Sequence, residues 1–250
     1  MMGYSHSVSA AATWLLLVET NIIPIHSPLI LLATTLTCAG AGMLPDIDHK
    51  NGTIAHSLPP FSLFLTSFVS NVSGGHRKGT HSILGLLAFW AIAIFSEQLT
   101  YQGVPWVSLF ITAYMGGLAL RTFGAPGGWL GAIGLGFLTW HTQSLSLTPL
   151  AIGVGASAHV VGDFLTTRGI NPIWPLILKS PVPSKIWKKS GYFALPLLGD
   201  AGSKREKILT SIFSLFILWM TLAFFNFAEP PSEFFTNIQW LNLAQSVGLT

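Results

Sequence analysis

His76-Arg77-Lys78-Gly79-Thr80-His81-Ser82 sets two imidazoles, two cations and two hydroxyls side by side, and an apolar run, 83–95, follows at once. The chain around it is 250 residues long, 50% hydrophobic and only 8% charged. Soluble domains carry roughly 25% charged residues. So dense a polar cluster at the mouth of a membrane helix is costly to keep unless it does chemistry. The reading that follows is an all-α, polytopic membrane helix bundle, with room for about seven spans of some 20 residues each.

Working outward, the spans fall at 8–23, 29–44, 83–99, 104–120, 123–140, 147–167 and 208–225. Residues 1–225 form one membrane domain, and 226–250 a C-terminal tail whose stretch 234–249 is amphipathic and suited to the interface. Residues 59–72 are apolar but short, with two prolines, which suits an interfacial or re-entrant segment. The glycines at 127, 128, 131, 134 and 136 suit close helix packing. One cysteine, Cys38, excludes an internal disulfide framework and a cysteine-based zinc site. The net charge of +3 gives no reason to expect a nucleic-acid partner. All 12 Lys and Arg fall between spans two and three, four and five, or six and seven. The positive-inside rule then places those loops and the N-terminus in the cytoplasm, and the C-terminus outside, as in a bacterial inner membrane.

With that topology, four clusters arrive at one cytoplasmic face. His6 stands just before the first span. Asp46-Ile47-Asp48-His49 forms the turn after the second. His76 and His81 precede the third, and His159 with Asp163 lies in the inner half of the sixth. His26 and His141 arrive at the opposite face and are expected to stay out of the site.

His159 and Asp163 are four apart and share a helix face, which suits two ligands of one metal, or a ligand and the carboxylate behind it. A hydrogen-bonded pair with no metal has the same spacing. Asp46 and Asp48, in an extended turn, point the same way, so both can reach one ion; alternatively Asp46 caps a turn after Pro45. Thr80 suits the N-cap of the third span. Arg77, Ser82 and the free amides of that helix start suit an anion cradle, although an Arg anchored at headgroups explains Arg77 as well.

The candidate ligands are therefore His6, Asp46, Asp48, His49, His76, His81, His159 and Asp163. That is more than one tetrahedral zinc uses, so either two ions sit together or some members stand behind the ligands. Mixed imidazole and carboxylate donors suit Zn²⁺, Mn²⁺ or Fe²⁺ better than Mg²⁺, with zinc or manganese favoured. Asp48 and His76 are candidates for general acid or base, and Arg77, joined by Arg168, for holding an anionic substrate. With Thr80 beside them, Asp48, His76 and Arg77 make up the candidate catalytic group. No G-x-x-x-x-G-K-[ST], G-x-G-x-x-G, H-E-x-x-H or G-x-S-x-G motif is present.

Leu44-Pro45-Asp46-Ile47-Asp48-His49, the stretch His76 to Ser82, and His159-Val160-Val161-Gly162-Asp163 with Thr166, Gly169 and Pro172 resemble the YdjM-type family of LexA-regulated, membrane-bound metal-dependent hydrolases. His6 matches that family's early histidine. The resemblance covers roughly residues 1–100 and 150–178. It implies a compact membrane hydrolase with a divalent metal. Against a four-helix core of spans one, two, three and six, spans four and five look like an inserted hairpin, and a seventh span follows. The expectation is a hydrolase of phosphoesters, lipid ones included, acting through metal-activated water at the cytoplasmic membrane face. A metal-binding transporter and a scaffold with a structural metal are the other readings.

Overall fold

The computed structural model describes residues 1–125, 128–182, 184–228 and 230–232. The tail stretch 234–249 lies outside them. The described residues form helices and no strands; isolated bridges such as Ile170 with Phe193 tie the long loop 165–203 together. Among the described residues eight α-helices run in order: α1 (Gly3–Glu19), α2 (Pro28–Ala41), α3 (Phe61–Val72), α4 (Ile83–Gln98), α5 (Trp106–Thr122), α6 (Gly128–His141), α7 (Thr148–Phe164) and α8 (Lys204–Phe224). Short 3-10 turns occupy Leu44–Asp48, Ile54–His56, Gly79–His81 and Ser144–Leu147.

Among the described residues, three stretches are long and apolar enough to cross a membrane: Pro28–Asp48, Ser144–Phe164 and Lys204–Phe224. The other expected spans fold as shorter helices; α1 and α5 have 17 residues, α4 has 16 and α6 has 14. The surface is apolar where a soluble bundle would be polar. Leu84, Leu87 and Phe95 of α4, Ile133 and Phe137 of α6, and Ile208 and Leu215 of α8 are all exposed. Helix α3 is turned the same way, with Ser62 and Thr66 buried and Phe61, Phe64 and Phe68 facing out. At 12 residues it is too short to cross, and an outward apolar face suits the interface.

Helix α7 is central and packs against α1, α2 and α4. The α5–α6 hairpin lies against α2, and α8 lies against α1. Glycine allows the closest approaches. A Cβ on Gly155 of α7 would meet the Cys38 carbonyl of α2 at 2.3 Å, and one on Gly40 of α2 would meet the Met115 carbonyl of α5 at 1.8 Å. Trp14 of α1 is fully buried, and its Nε1 donates to Thr34 Oγ1 of α2 at 3.0 Å. Met220 of α8 packs into the same cluster.

This packing brings four helix ends to one place: the start of α1, the end of α2 with its 3-10 turn, the start of α4, and the end of α7. Three local expectations change there. Helix α1 begins at Gly3, so His6 lies inside the first helix rather than ahead of it. The turn carrying Asp46 and Asp48 is 3-10 rather than extended. With about three residues per turn, residues two apart diverge, and the two carboxylates face different neighbours. Ser82, not Thr80, caps α4: its Oγ accepts from Gly85 N at 3.1 Å. The Thr80 hydroxyl is drawn instead to a buried carboxylate.

Candidate metal centre

Residue types and spacing that looked scattered in sequence converge at the helix ends. Helix α7 delivers His159 and Asp163 one turn apart, both buried. The 3-10 turn after α2 delivers Asp46. The turn Gly79–His81 delivers His81, fully buried, across from them. His81 Nε2 and His159 Nε2 lie 3.1 Å apart. Asp46 Oδ1 is 3.7 Å from the first and 3.6 Å from the second. Asp163 Oδ2 is 3.4 Å from His81 Nε2 and 3.7 Å from His159 Nε2.

The other ring nitrogens fix what these imidazoles present. His159 Nδ1 lies 2.6 Å from the Gly42 carbonyl, which can only accept, so Nδ1 carries the proton. Thr80 Oγ1 donates to Asp48 Oδ2 at 2.6 Å and therefore accepts from His81 Nδ1 at 3.0 Å. In their neutral forms both rings turn lone pairs toward one another across 3.1 Å. Two facing lone pairs repel unless a cation sits between them. Donors held by a tetrahedral ion with bonds of about 2.0–2.2 Å lie about 3.3–3.6 Å apart, close to the spacing found. The donor set and its spacing fit a divalent metal.

His6 supports the same reading. Its ring is buried and stacks on His159 with centroids 3.5 Å apart. Neither nitrogen has a hydrogen-bond partner, and Nε2 lies 3.3 Å from Asp163 Oδ1. Buried polar atoms are normally paired, yet His6 Nδ1 has no neighbour to pair with, while Nε2 faces the Asp163 carboxylate. Among the described residues, three donor groups come close enough to hold an ion: His6 with His159 and Asp163, Asp46 with His81 and His159, and Asp48 with His76 and His81. The first two share His159.

The carboxylate of Asp163 is held from behind. Arg77 Nη2 donates to Oδ1 at 2.8 Å, and the Met1 amine contacts the same oxygen. Arg77 Nη1 donates to Thr166 Oγ1 at 3.0 Å and to the Gly169 carbonyl. Arg77 is 5% exposed. The guanidinium expected to meet an anion is thus an internal partner of Asp163, with only Nε unpartnered. Its backbone sits at φ +65°, a left-handed conformation that strains a non-glycine residue, and Asn171 N bonds its carbonyl at 3.1 Å. Ser82 and the α4 start are likewise engaged internally. Ser82 Oγ donates to Gly79 O, and Ile83 N to Pro172 O.

Asp48 stands one step back. Its Oδ1 lies 2.9 Å from His76 Nδ1, while Oδ2 takes Thr80. His76 is 19% exposed and also lies 3.8 Å from Asp46 Oδ1. His49 is further out: its ring stacks on His76 at 4.5 Å and joins none of the three donor groups. Burial and the neighbouring His76 push its imidazole below the ordinary range. His26 and His141 lie at the far ends of α2 and α6, both exposed.

Sequence reasoning gave no role to Thr166, the Gly42 and Gly169 carbonyls or Tyr192. Tyr192 donates to the His76 carbonyl at 3.2 Å, and burial raises its phenol pKa. Gly169 signals its part through conformation: at φ +69°, a Cβ there would meet the Phe193 carbonyl at 2.2 Å. At the rim stand Arg168, exposed, and Lys188, whose Nζ donates to the Thr167 and Arg168 carbonyls. Burial, then repulsion from Arg77 and Arg168, lowers the Lys188 ammonium pKa.

A family model described as YdjM inner membrane protein matches residues 1–229. The chain belongs to the YdjM family. The match covers all four helix ends, the α5–α6 hairpin and α8, so the hairpin and the last helix lie within the YdjM match. No curated protein and no solved structure matches the chain. In this YdjM family member, then, a membrane setting and a set of donor groups able to hold a metal stand together.

Proposed function

We propose that this YdjM family member is a metal-dependent hydrolase of phosphoesters, working at the membrane face where its four helix ends meet. One observation carries the reading: two buried imidazoles turn Nε2 atoms toward each other at 3.1 Å, between two carboxylates, with their outer nitrogens committed as donors. Asp46, His81, His159 and Asp163 would hold the ion, with His6 beside them. Zinc or manganese suits that mixture. When bound, the ion supplies Lewis-acid polarisation and lowers the pKa of an adjacent water.

The chain's own residues do the rest. Asp48 acting through Thr80 holds His81 in the tautomer that leaves Nε2 free. Arg77 holds Asp163 Oδ1 and leaves Oδ2 toward His81 and His159. His76, paired with Asp48 and reached by solvent, is the group suited to carry a proton to or from a substrate oxygen. Arg168 and Lys188 attract an anionic substrate from the rim. The positive-inside rule supports a cytoplasmic site, the N-terminus inside and the C-terminus outside.

The test uses protein purified in detergent, assayed for metal content and for phosphate release from a lipid phosphate and a soluble phosphoester. The expected result is about one equivalent of divalent metal and turnover that chelation removes, both lost in His81→Ala. Turnover that survives chelation and His81→Ala would refute the proposal. Bound metal with no phosphoester turnover would move the reading to a structural metal.

A further inference from the structure

An apolar groove of about 570 Å³ runs between α1, α4 and α7, lined among others by Ile83, Leu87, Trp90, Leu150, Gly153 and Val161. Ile83, Leu87, Trp90 and Val161 are exposed, so the groove opens sideways, toward the bilayer rather than the aqueous face. Its two ends differ. Along α7 it stretches from Leu150 to Val161, a rise of about 16 Å at 1.5 Å per residue. That is about half of the roughly 30 Å hydrocarbon core, the depth of one leaflet. At the shallow end, Ile83 follows His81 by two residues, and Val161 lies between His159 and Asp163 in sequence. Beyond α7 stand Arg168 and Lys188.

From this arrangement we infer that the groove seats one acyl chain of a membrane lipid whose anionic phosphate headgroup lies at the level of the donor centre. Three features favour a lipid over a partner helix. The walls are apolar along a length of one leaflet. The groove ends at the level of an ionisable cluster, where a transmembrane partner would need further apolar surface. The rim there is cationic and suits a phosphate. The headgroup's fate rests on the hydrolase reading; the seat of the chain does not.

The test is photo-crosslinking of the full-length protein in nanodiscs, with a phosphatidic acid carrying a diazirine on its acyl chain. Crosslinked residues are mapped by mass spectrometry. Gly153→Trp and Val161→Trp each fill the groove from a different depth, and the exposed Val161 position guards against misfolding, checked by helicity and elution volume. The expected result is labelling concentrated on α4 and α7. It should fall about tenfold in both variants, the scale on which filling an apolar pocket discriminates ligands. Unlabelled phosphatidic acid should compete, and diacylglycerol or inorganic phosphate should not. Three outcomes would overturn the inference: labelling spread equally over α6 and α8 as for annular lipid, labelling unchanged in both well-folded variants, or crosslinks to a second protein in the groove. Lipid phosphate turnover is read separately. Focused labelling without turnover would refute the hydrolase and keep the groove's occupant, whereas turnover with scattered labelling would do the reverse.

Discussion

The converging ends of α1, α2, α4 and α7 and the α5–α6 hairpin are built from the same apolar, glycine-rich vocabulary, yet they hold opposite contents. Along the hairpin, small residues meet apolar neighbours: a Cβ on Gly116 would sit 1.9 Å from Leu135 Cδ2, and one on Gly117 would sit 2.6 Å from the Trp129 ring. At the helix ends, close approach instead packs imidazoles and carboxylates together in the interior. A seam of small residues is explained by packing. A buried cluster of imidazoles and carboxylates with their open atoms turned toward one another is what a metal site requires.

The largest expected effect tests that contrast directly. His159→Ala should abolish metal content measured by elemental analysis of purified protein, because His159 belongs to two of the three donor groups. Retention of metal would erase the distinction between the two regions. Acidifying the wild type should also release the ion, since imidazole must be unprotonated to ligate.

Next comes Asp163→Ala, which strands Arg77 in the interior. Removing one partner of a buried ion pair costs about 3–5 kcal/mol, read as a lower unfolding midpoint in metal-free protein. A smaller change is expected from Asp48→Asn, which disturbs the partner of His81 rather than a donor at the centre. Metal affinity should weaken by about 10–100-fold without being lost, as measured by competition with a chelator.

Gly116→Val probes the hairpin alone. It should destabilise the protein by about 1–3 kcal/mol through overpacking, while metal per folded molecule stays unchanged. His49→Ala should do least. The residue lies outside every donor group, and a substitution of this kind costs within about 0.5 kcal/mol; unfolding and metal titration should both track the wild type.

Much of the cluster at the helix ends was legible because its residues are chemically out of place. His159 and Asp163 at helical spacing in an apolar segment, and His76 and His81 flanking a helix start, stand out against 8% charge. Their ranking was not legible. His49 and Asp46 belong to one motif, but a 3-10 turn sends only Asp46 into the centre. Arg77 resembled a substrate clamp because exposure cannot be read from residue type; burial and a left-handed backbone turned it toward Asp163.

The sequence by itself determined the all-helical membrane character, the approximate helix positions and most of the ionisable residues that gather at the helix ends, because composition and spacing act locally along the chain. Only the tertiary structure decided which donor atoms face each other, which carboxylate stands behind, and that an apolar groove opens between α1, α4 and α7. Those depend on contacts such as Gly155 against the Cys38 carbonyl and His159 against the Gly42 carbonyl, made between residues more than 100 positions apart. Glycine's lack of a side chain permits such contacts without specifying a partner, so the pairing emerges only when whole helices pack.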